Sequence, residues 1–271
     1  MKQIDLDTWD ELEKAVEQLQ AFLKSKRTSN GSSISRPLYR GQRSSSWKLE
    51  TTLERYLTRE VSVERYNLYL WLIKPAIESY TGEKWEVKRD LNLDEKFFKV
   101  PPNYDFMTYV RHHGFPSPLL DWSQSLYIAL FFAFQKAFLE ERVAIYAYVE
   151  YLGEGKAGWV GAPQICELGP YVPTDKRHFM QQGQHTVSVE NKDESWVYCC
   201  HEKYFSASND GDQDYLIKYT LPGAIKNQVL KRLQSMNINA FTLFGSEDSL
   251  MDMLAFKEIR ERTQPIYYNR G

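Results

Sequence analysis

The feature that most constrains the fold is an apolar segment that begins at Leu126. From 126 to 138 the chain is apolar almost all round, which predicts a buried helix rather than an amphipathic surface helix. Just before it, Leu119-Leu120 is a short apolar run typical of a buried strand. Ser123 follows that run and suits an N-cap, since its hydroxyl can accept a backbone N–H of the first turn. The sequence therefore predicts a buried strand followed directly by a buried helix.

Titratable side chains are concentrated around this predicted strand. Arg111, His112 and His113 precede it, and Asp121 stands where it ends. A helix N-terminus favours anions because its free backbone N–H groups and its dipole present positive charge. Two interpretations remain open: the cluster binds an anionic ligand, or its members are caps and satisfied core polar groups.

Arg40 is a second candidate binding residue. It lies near the end of a short predicted strand, 37–41, and Gly41 follows it. An arginine at a strand end beside a glycine suits close approach of a phosphate to the backbone. The alternative interpretation is a surface arginine beside a turn.

Glutamines are concentrated around Gly183. Gln181, Gln182, Gln184 and His185 surround this glycine just before a short predicted strand, 185–189. The glutamine amides either read the hydrogen-bonding edge of a ligand or form the solvated surface of a loop, and both interpretations stay open.

The remaining segments predict helices and strands in irregular alternation. Helices are expected over 8–25, 60–82, the end of 97–112, 223–236 and 248–260; strands over 143–151, 185–189, 214–222 and 240–244; and a long loop over 153–176. Without the regular spacing of βαβ units, this order is typical of an α+β domain.

Composition narrows the class of protein. The net charge of −2 argues against a basic surface for DNA or RNA, although a local basic groove remains possible. The three cysteines lack zinc-binding spacing, and a reduced, cytoplasmic protein is expected. The N-terminus has no apolar signal-peptide region and the longest apolar run, 126–134, is too short for a membrane span, so no membrane partner is expected. No metal site is predicted, because the adjacent His112 and His113 point in different directions and no third ligand stands at metal spacing.

Three stretches of the chain together resemble the FRG domain, a bacterial and phage-borne family named for a Phe-Arg-Gly triplet. Tyr39-Arg40-Gly41 stands where the triplet does, 112–123 resembles the most recognisable block of the family, and 177–186 resembles a third block. The resemblance implies an N-terminal helix and loop at 1–36, an FRG domain at 37–255 and a C-terminal tail at 256–271.

The order of these motifs is similar to that of ADP-ribosyltransferases of the Arg–Ser–Glu type. This implies a single mixed domain with a small, split β-sheet flanked by helices, and NAD as substrate. By the same resemblance, Arg40 would grip the NAD phosphates, Ser123 would hold the nicotinamide-side ribose, and Tyr39 or Trp122 would stack on nicotinamide. The implied catalytic residues are Arg40, His113, Ser123 and Gln181, and the implied cofactor-binding residues are Tyr39, Arg40, Gly41, His112, Asp121, Trp122 and Gln184.

This sequence differs from that pattern at the position of the catalytic glutamate. Gln181 or Gln184 stands where it is usual, and an uncharged amide cannot stabilise an oxocarbenium-like centre by charge. The first hypothesis is an NAD-using ADP-ribosyltransferase or NAD hydrolase, acting as a toxin or anti-phage effector on a protein or nucleic-acid acceptor, with an antitoxin or regulatory partner. The second is an enzyme acting on nucleic acid or nucleotide with His112 or His113 as general acid/base and Asp121 orienting it. The third is a non-catalytic binding module.

Overall fold

The computed structural model describes residues 1–30, 34–57, 59–91, 101–152, 164–169, 176–202, 204 and 213–260. The strands are β1 Lys2–Asp5, β2 Leu38–Gln42, β3 Val61–Ser62, β4 Leu120–Ser123, β5 Arg142–Tyr151, β6 Gln164–Leu168, β7 Gly183–Lys192, β8 Ser195–Tyr198 and β9 Gln213–Pro222. The helices are α1 Trp9–Asn30, α2 Thr52–Tyr56, α3 Val63–Thr81, α4 Tyr104–His112, α5 Leu126–Phe134, α6 Lys176–Met180, α7 Lys226–Ser235, α8 Ala240–Phe244 and α9 Glu247–Ala255. A 3₁₀ turn, Gly223–Ile225, precedes α7, and a π-helical turn, Phe256–Arg260, continues α9.

The described strands form one nine-stranded sheet. Its order is β1-β9-β5-β2-β4-β7-β8-β3, with β6 also paired to β7. The β1–β9 pair is parallel and the other pairs are antiparallel. The α+β class is thus confirmed, but the predicted small, split sheet is wrong, because the sheet is large and continuous. Short strands such as β1 and β3 carry too few residues to show a period in the sequence.

Helices cover one face of the sheet and build the largest core. Leu12, Val16 and Leu19 of α1 are buried against α5 and the central strands. Such spacing places these side chains on one stripe of the helix. The Thr8 hydroxyl accepts the Glu11 N–H at 3.2 Å at the start of α1, which the sequence predicts as a helix over 8–25. A second core lies between α3, α4 and β6–β8.

Helix α5 is the buried helix that the apolar segment predicts. Six of its nine residues are buried, and it packs between β2 and α7. Its N-cap is Ser125 rather than the predicted Ser123, since the Ser125 hydroxyl accepts the Ile128 N–H at 3.4 Å while Ser123 is still part of β4. Among the helices of the described residues, none has both the length and the apolar composition needed to cross a membrane.

Two other predicted elements differ from the structure. Residues 240–244 form helix α8 instead of a strand, because Asn239 and Thr242 make a capping box and Gly245 ends the turn with φ 65°. The predicted loop 153–176 contains β6, while 153–163 and 170–175 lie outside the described residues. The predicted strands at 143–151 and 214–222 and the helices at 60–82, 223–236 and 248–260 are confirmed with small changes at their ends.

Candidate functional site

Strand β2 presents its two motif residues to opposite sides of the sheet. Side chains alternate along a strand, so Arg40 lies on the face of Leu38 and Gln42, while Tyr39 and Gly41 face α5. A Cβ atom on Gly41 would lie 1.9 Å from the backbone oxygen of Ala129 in α5. Glycine at this position is therefore required by the close approach of a helix backbone, which differs from the phosphate approach that the sequence suggested.

A single residue pair connects β2 to β4. The register joins Tyr39 to Ser123, whereas β2 and β5 share five consecutive pairs. Beside this single pair, the Nη1 atom of Arg40 donates to the backbone oxygen of Asp121 at 2.6 Å. A side-chain contact thus bridges the two strands where their backbones part.

A cleft of about 830 Å³ opens at this place. Consecutive residues of both strands line it, 39–42 of β2 and 121–123 of β4. Because consecutive strand residues face opposite sides, the cleft lies at the opening between the strands rather than on one face. Its other lining residues include the cationic side chains of Arg43, Lys48, Arg55 and Lys136 and the carboxylate of Glu50.

Arg40 is a partly buried cation of this cleft. Its Nε atom is buried without a hydrogen-bond partner, and its guanidinium forms no ion pair with a carboxylate among the described residues. Burial lowers the pKa of Arg40 to about 10, with Arg111 and Arg55 acting in the same direction and Asp121 opposing them. The side chain is therefore still charged near neutral pH, and it offers a donor that no protein group uses.

Asp121 is held from two sides. Arg111 donates to both carboxylate oxygens, with its Nε 2.7 Å from Oδ1, and Nε2 of His185 lies 3.3 Å from Oδ1. Burial alone would raise the pKa of Asp121, but Arg111 and His185 outweigh it and keep this pKa well below 3.8. The side chain is 51% exposed and lines the cleft, so a permanent negative charge faces it.

Three of the predicted ligand-binding side chains are largely engaged in packing. Tyr39 and Trp122 are each only 4% exposed, and the Trp122 indole N–H donates to Oγ1 of Thr186 at 2.8 Å. The Ser123 hydroxyl donates to the backbone oxygen of Gln181 at 2.7 Å and accepts the Ser125 N–H at 3.1 Å. All three line the cleft, but each is only 4% exposed.

The two candidate glutamines occupy different positions. Gln181 lines the large cleft and also a smaller one of about 240 Å³, and its Nε2 donates to the backbone oxygen of Leu243 at 3.1 Å. Gln184 lines only the smaller of these two clefts. Of the two glutamines, Gln181 shares the large cleft with Arg40, Asp121 and Ser123, while Gln184 meets Asp121 only in the smaller cleft.

The predicted histidine pair is divided by the end of α4. His112 lines the smaller cleft, together with His178 of α6 and His185 of β7. His113 is exposed at the C-cap of α4, with its ring 4.5 Å from that of Tyr109, and lines neither cleft. Burial lowers the pKa of His178 to about 4, and His185 and His112 add to the effect.

Two site residues, His178 and Arg43, were not among the sequence candidates. The contacts of Arg111 and His185 with Asp121 were not predicted either, because Asp121 meets His185 across the β4–β7 ladder. Arg43 also lines the large cleft, with its guanidinium 4.7 Å from the centre of the Trp47 ring. Alternation along β7 could have placed His185 on the site face, because His185 shares a strand face with Gly183.

Comparison with known proteins identifies one family. The family model of the FRG domain matches residues 35–142, a segment that runs from just before β2 to the start of β5 and supplies Arg40, Arg111 and Asp121. Searches of curated proteins and of solved structures found no match. Gln181, His178 and His185 lie outside the matched segment. Residues 35–142 of this chain therefore match the FRG domain family.

Proposed function

We propose that the large cleft binds NAD and that the protein transfers ADP-ribose from it or hydrolyses it. The observation that carries this proposal is the guanidinium of partly buried Arg40, whose buried Nε has no hydrogen-bond partner among the described residues at the cleft between β2 and β4. A buried polar group without a partner costs free energy unless a ligand satisfies it. A guanidinium presents donors in a fork that matches two phosphate oxygens.

The charge around Arg40 supports a diphosphate ligand. Arg43, Lys48, Arg55 and Lys136 surround the cleft, against the carboxylates of Glu50 and Asp121, so the lining carries five cations with Arg40 and two anions. The volume of about 830 Å³ is in the upper part of the range for small-molecule sites, roughly 300–1,000 Å³. A dinucleotide is a ligand of suitable size and charge.

The chemistry would be cleavage of the bond between nicotinamide and the C1′ atom of ribose. The bonding electron pair leaves with nicotinamide, positive charge develops at the ribose, and water or an acceptor group bonds to C1′ and loses its proton. Preorganised charge aimed at such a developing charge lowers the barrier. With glutamine at position 181, the ionised carboxylate of Asp121 is the group next to Arg40 and Gln181 that supplies negative charge.

The experiment measures nicotinamide release from NAD by wild type, Arg40→Ala and Arg40→Lys, with cellular protein, RNA and DNA offered as acceptors. Arg65→Ala is the matched control, since Arg65 is exposed on α3, away from the residues that line the large cleft, and its Nε donates to the Tyr69 hydroxyl at 3.3 Å. We expect release in wild type and Arg65→Ala, loss in Arg40→Ala, and a large reduction in Arg40→Lys because lysine cannot form the two-pronged contact. Circular dichroism confirms that each variant is folded.

No release and no calorimetric NAD binding by wild type would refute this proposal. The labelled acceptor, in the positive case, would decide between protein and nucleic acid. A role as a toxin or anti-phage effector, and an antitoxin or regulatory partner, remain predictions from the motif order, as does an ADP-ribosyltransferase-like fold.

One observation favours the second candidate function, an enzyme that acts on nucleic acid or nucleotide. His185 lies between the carboxylate of Asp121 at 3.3 Å and the hydroxyl of Tyr104 at 2.9 Å, an arrangement that can orient a general acid/base. The histidine that contacts Asp121 is thus His185 rather than His112 or His113. This candidate requires activity without NAD, a bell-shaped pH dependence and loss of activity in His185→Gln. A non-catalytic binding role remains if both activities are absent.

A further inference from the structure

We propose that His112, His178 and His185 form a binding site for one divalent transition-metal ion. A ring nitrogen from each of the three lies within 4.8 Å of the others. The residues come from the end of α4, from α6 and from β7, so the fold brings together ligands that are far apart in the sequence. His178 is 4% exposed and His185 is 1% exposed, while His112 is half-buried.

Gly183 is what allows the histidines to meet. A Cβ atom at Gly183 would lie 2.6 Å from Nδ1 of His178, so the ring of His178 occupies the space where any other residue would place its side chain. Gly183 and His185 face the same side of β7 because they are two residues apart. The His178 and His185 rings are accordingly 5.1 Å apart between centroids.

The surroundings of His185 resemble those of a metal-bound histidine. One ring nitrogen lies 2.9 Å from the Tyr104 hydroxyl and the other 3.3 Å from the Asp121 carboxylate. Whichever nitrogen binds the ion, the other keeps a hydrogen-bond partner that fixes the ring, as is usual for metal ligands. Arg111 pairs with Asp121, which offsets the positive charge that Arg111 would direct at an ion.

The donor set indicates the class of ion. Imidazole nitrogens suit Zn²⁺, Cu²⁺, Ni²⁺ and Fe²⁺ rather than Mg²⁺ or Ca²⁺. With a Zn–N distance of about 2.0–2.1 Å, tetrahedral ligand atoms stand roughly 3.4 Å apart, so the three rings must close in slightly around an ion. Three protein ligands leave a fourth position for solvent or a bound molecule, and the histidines line the cleft of about 240 Å³.

The experiment titrates chelator-treated protein with Zn²⁺ by isothermal calorimetry and records the visible absorption of the Co²⁺ complex. The variants are His112→Ala and His178→Ala, and the control is His113→Ala, one residue along the chain but outside the cluster. We expect one Zn²⁺ per wild-type chain with micromolar or tighter affinity, and a Co²⁺ spectrum typical of four-coordinate nitrogen ligation. Neither readout depends on the proposed NAD chemistry.

His112→Ala is the decisive variant, because His112 is half-buried and its replacement disturbs the core less than replacement of His178 or His185. It should weaken Zn²⁺ binding by more than the roughly 10–100-fold typical of an outer-shell change and abolish the Co²⁺ spectrum, whereas His113→Ala should bind as wild type does. Absence of stoichiometric binding by wild type, unchanged binding in folded His112→Ala, or equal weakening in His113→Ala would each overturn the proposal.

Discussion

Replacement of Gly41 by alanine tests why this strand needs a glycine. The added Cβ would lie 1.9 Å from the Ala129 backbone oxygen and 2.7 Å from the Ala133 backbone nitrogen. Both atoms belong to the backbone of α5, so no side-chain rotation can relieve the clash, and the helix must move away from β2. Overpacking typically costs 1–3 kcal/mol; with two fixed contacts we expect about 3 kcal/mol or more. At roughly 2–4 °C per kcal/mol, the expected fall in Tm is about 6–12 °C.

The assay is thermal unfolding followed by circular dichroism, with urea unfolding as a second measurement. Gly82→Ala is the matched control, because Gly82 has φ 76° and no atom within 4 Å of an added Cβ. That variant carries only the conformational cost of alanine in the left-handed region, about 1–2 kcal/mol. If Gly41→Ala cost no more than Gly82→Ala yet impaired ligand binding, the glycine would serve ligand approach, and the helix-packing explanation would be refuted.

Three further perturbations probe the charges around the clefts. Burial lowers the pKa of His201 to about 3, with Arg40 acting in the same direction, so the unfolded chain, with a histidine pKa of about 6.5, binds the proton first. Stability should then fall as the pH drops from about 6.5 toward 3, by on the order of 1 kcal/mol per pH unit, and urea midpoints of His201→Gln should fall less steeply. Arg111→Met removes the partner of Asp121 and should lower the free energy of unfolding by about 2 kcal/mol. This is below the 3–5 kcal/mol of a fully buried pair because Asp121 is half-exposed. Adding Asp121→Asn should restore part of the lost stability, and an unchanged urea midpoint in the single variant would contradict this account. Under the proposed NAD chemistry, Gln181→Glu should raise the rate of nicotinamide release at least about tenfold, since a positioned acid/base group contributes roughly 10²–10⁴-fold. A folded variant with no increase in rate would contradict the assignment of Gln181 to the position of the catalytic glutamate.

Elements with a strong local signal could be predicted from the sequence. The apolar run of α5 and the β-branched, aromatic run of β5 each specify their own structure, and both are confirmed. Segment 240–244 is also rich in apolar residues, but its state depends on the capping box of Asn239 and Thr242. A five-residue apolar run has no period that separates helix from strand, so the flanking caps decided the outcome.

The candidate site was predictable only where its residues are neighbours in the sequence. The block from His112 to Ser123 was identified, and the structure places His112, Asp121 and Ser123 at the two clefts. The partners of Asp121 could not be found in the same way. Arg111 contacts Asp121 from ten residues away in the sequence. His185 contacts Asp121 only because β7 pairs with β4, and local sequence patterns do not predict which strands pair.

Arg40 and Gly41 are adjacent in β2, so their side-chain positions face opposite sides of the sheet and meet two separate structural requirements. Gly41 turns toward α5 and lets its backbone approach, and Arg40 turns to the other face and bridges to the Asp121 oxygen beside the single β2–β4 pair. Because the two residues share one rigid strand, a shift of α5 away from Gly41 would also move the guanidinium of Arg40 relative to β4. Gly41→Ala, which pushes α5 away from β2, should therefore also weaken the binding of any ligand that Arg40 contacts. The loss of binding should increase with the loss of helix packing. The glycine of the motif then acts on the cleft through the position of the strand and without touching a ligand.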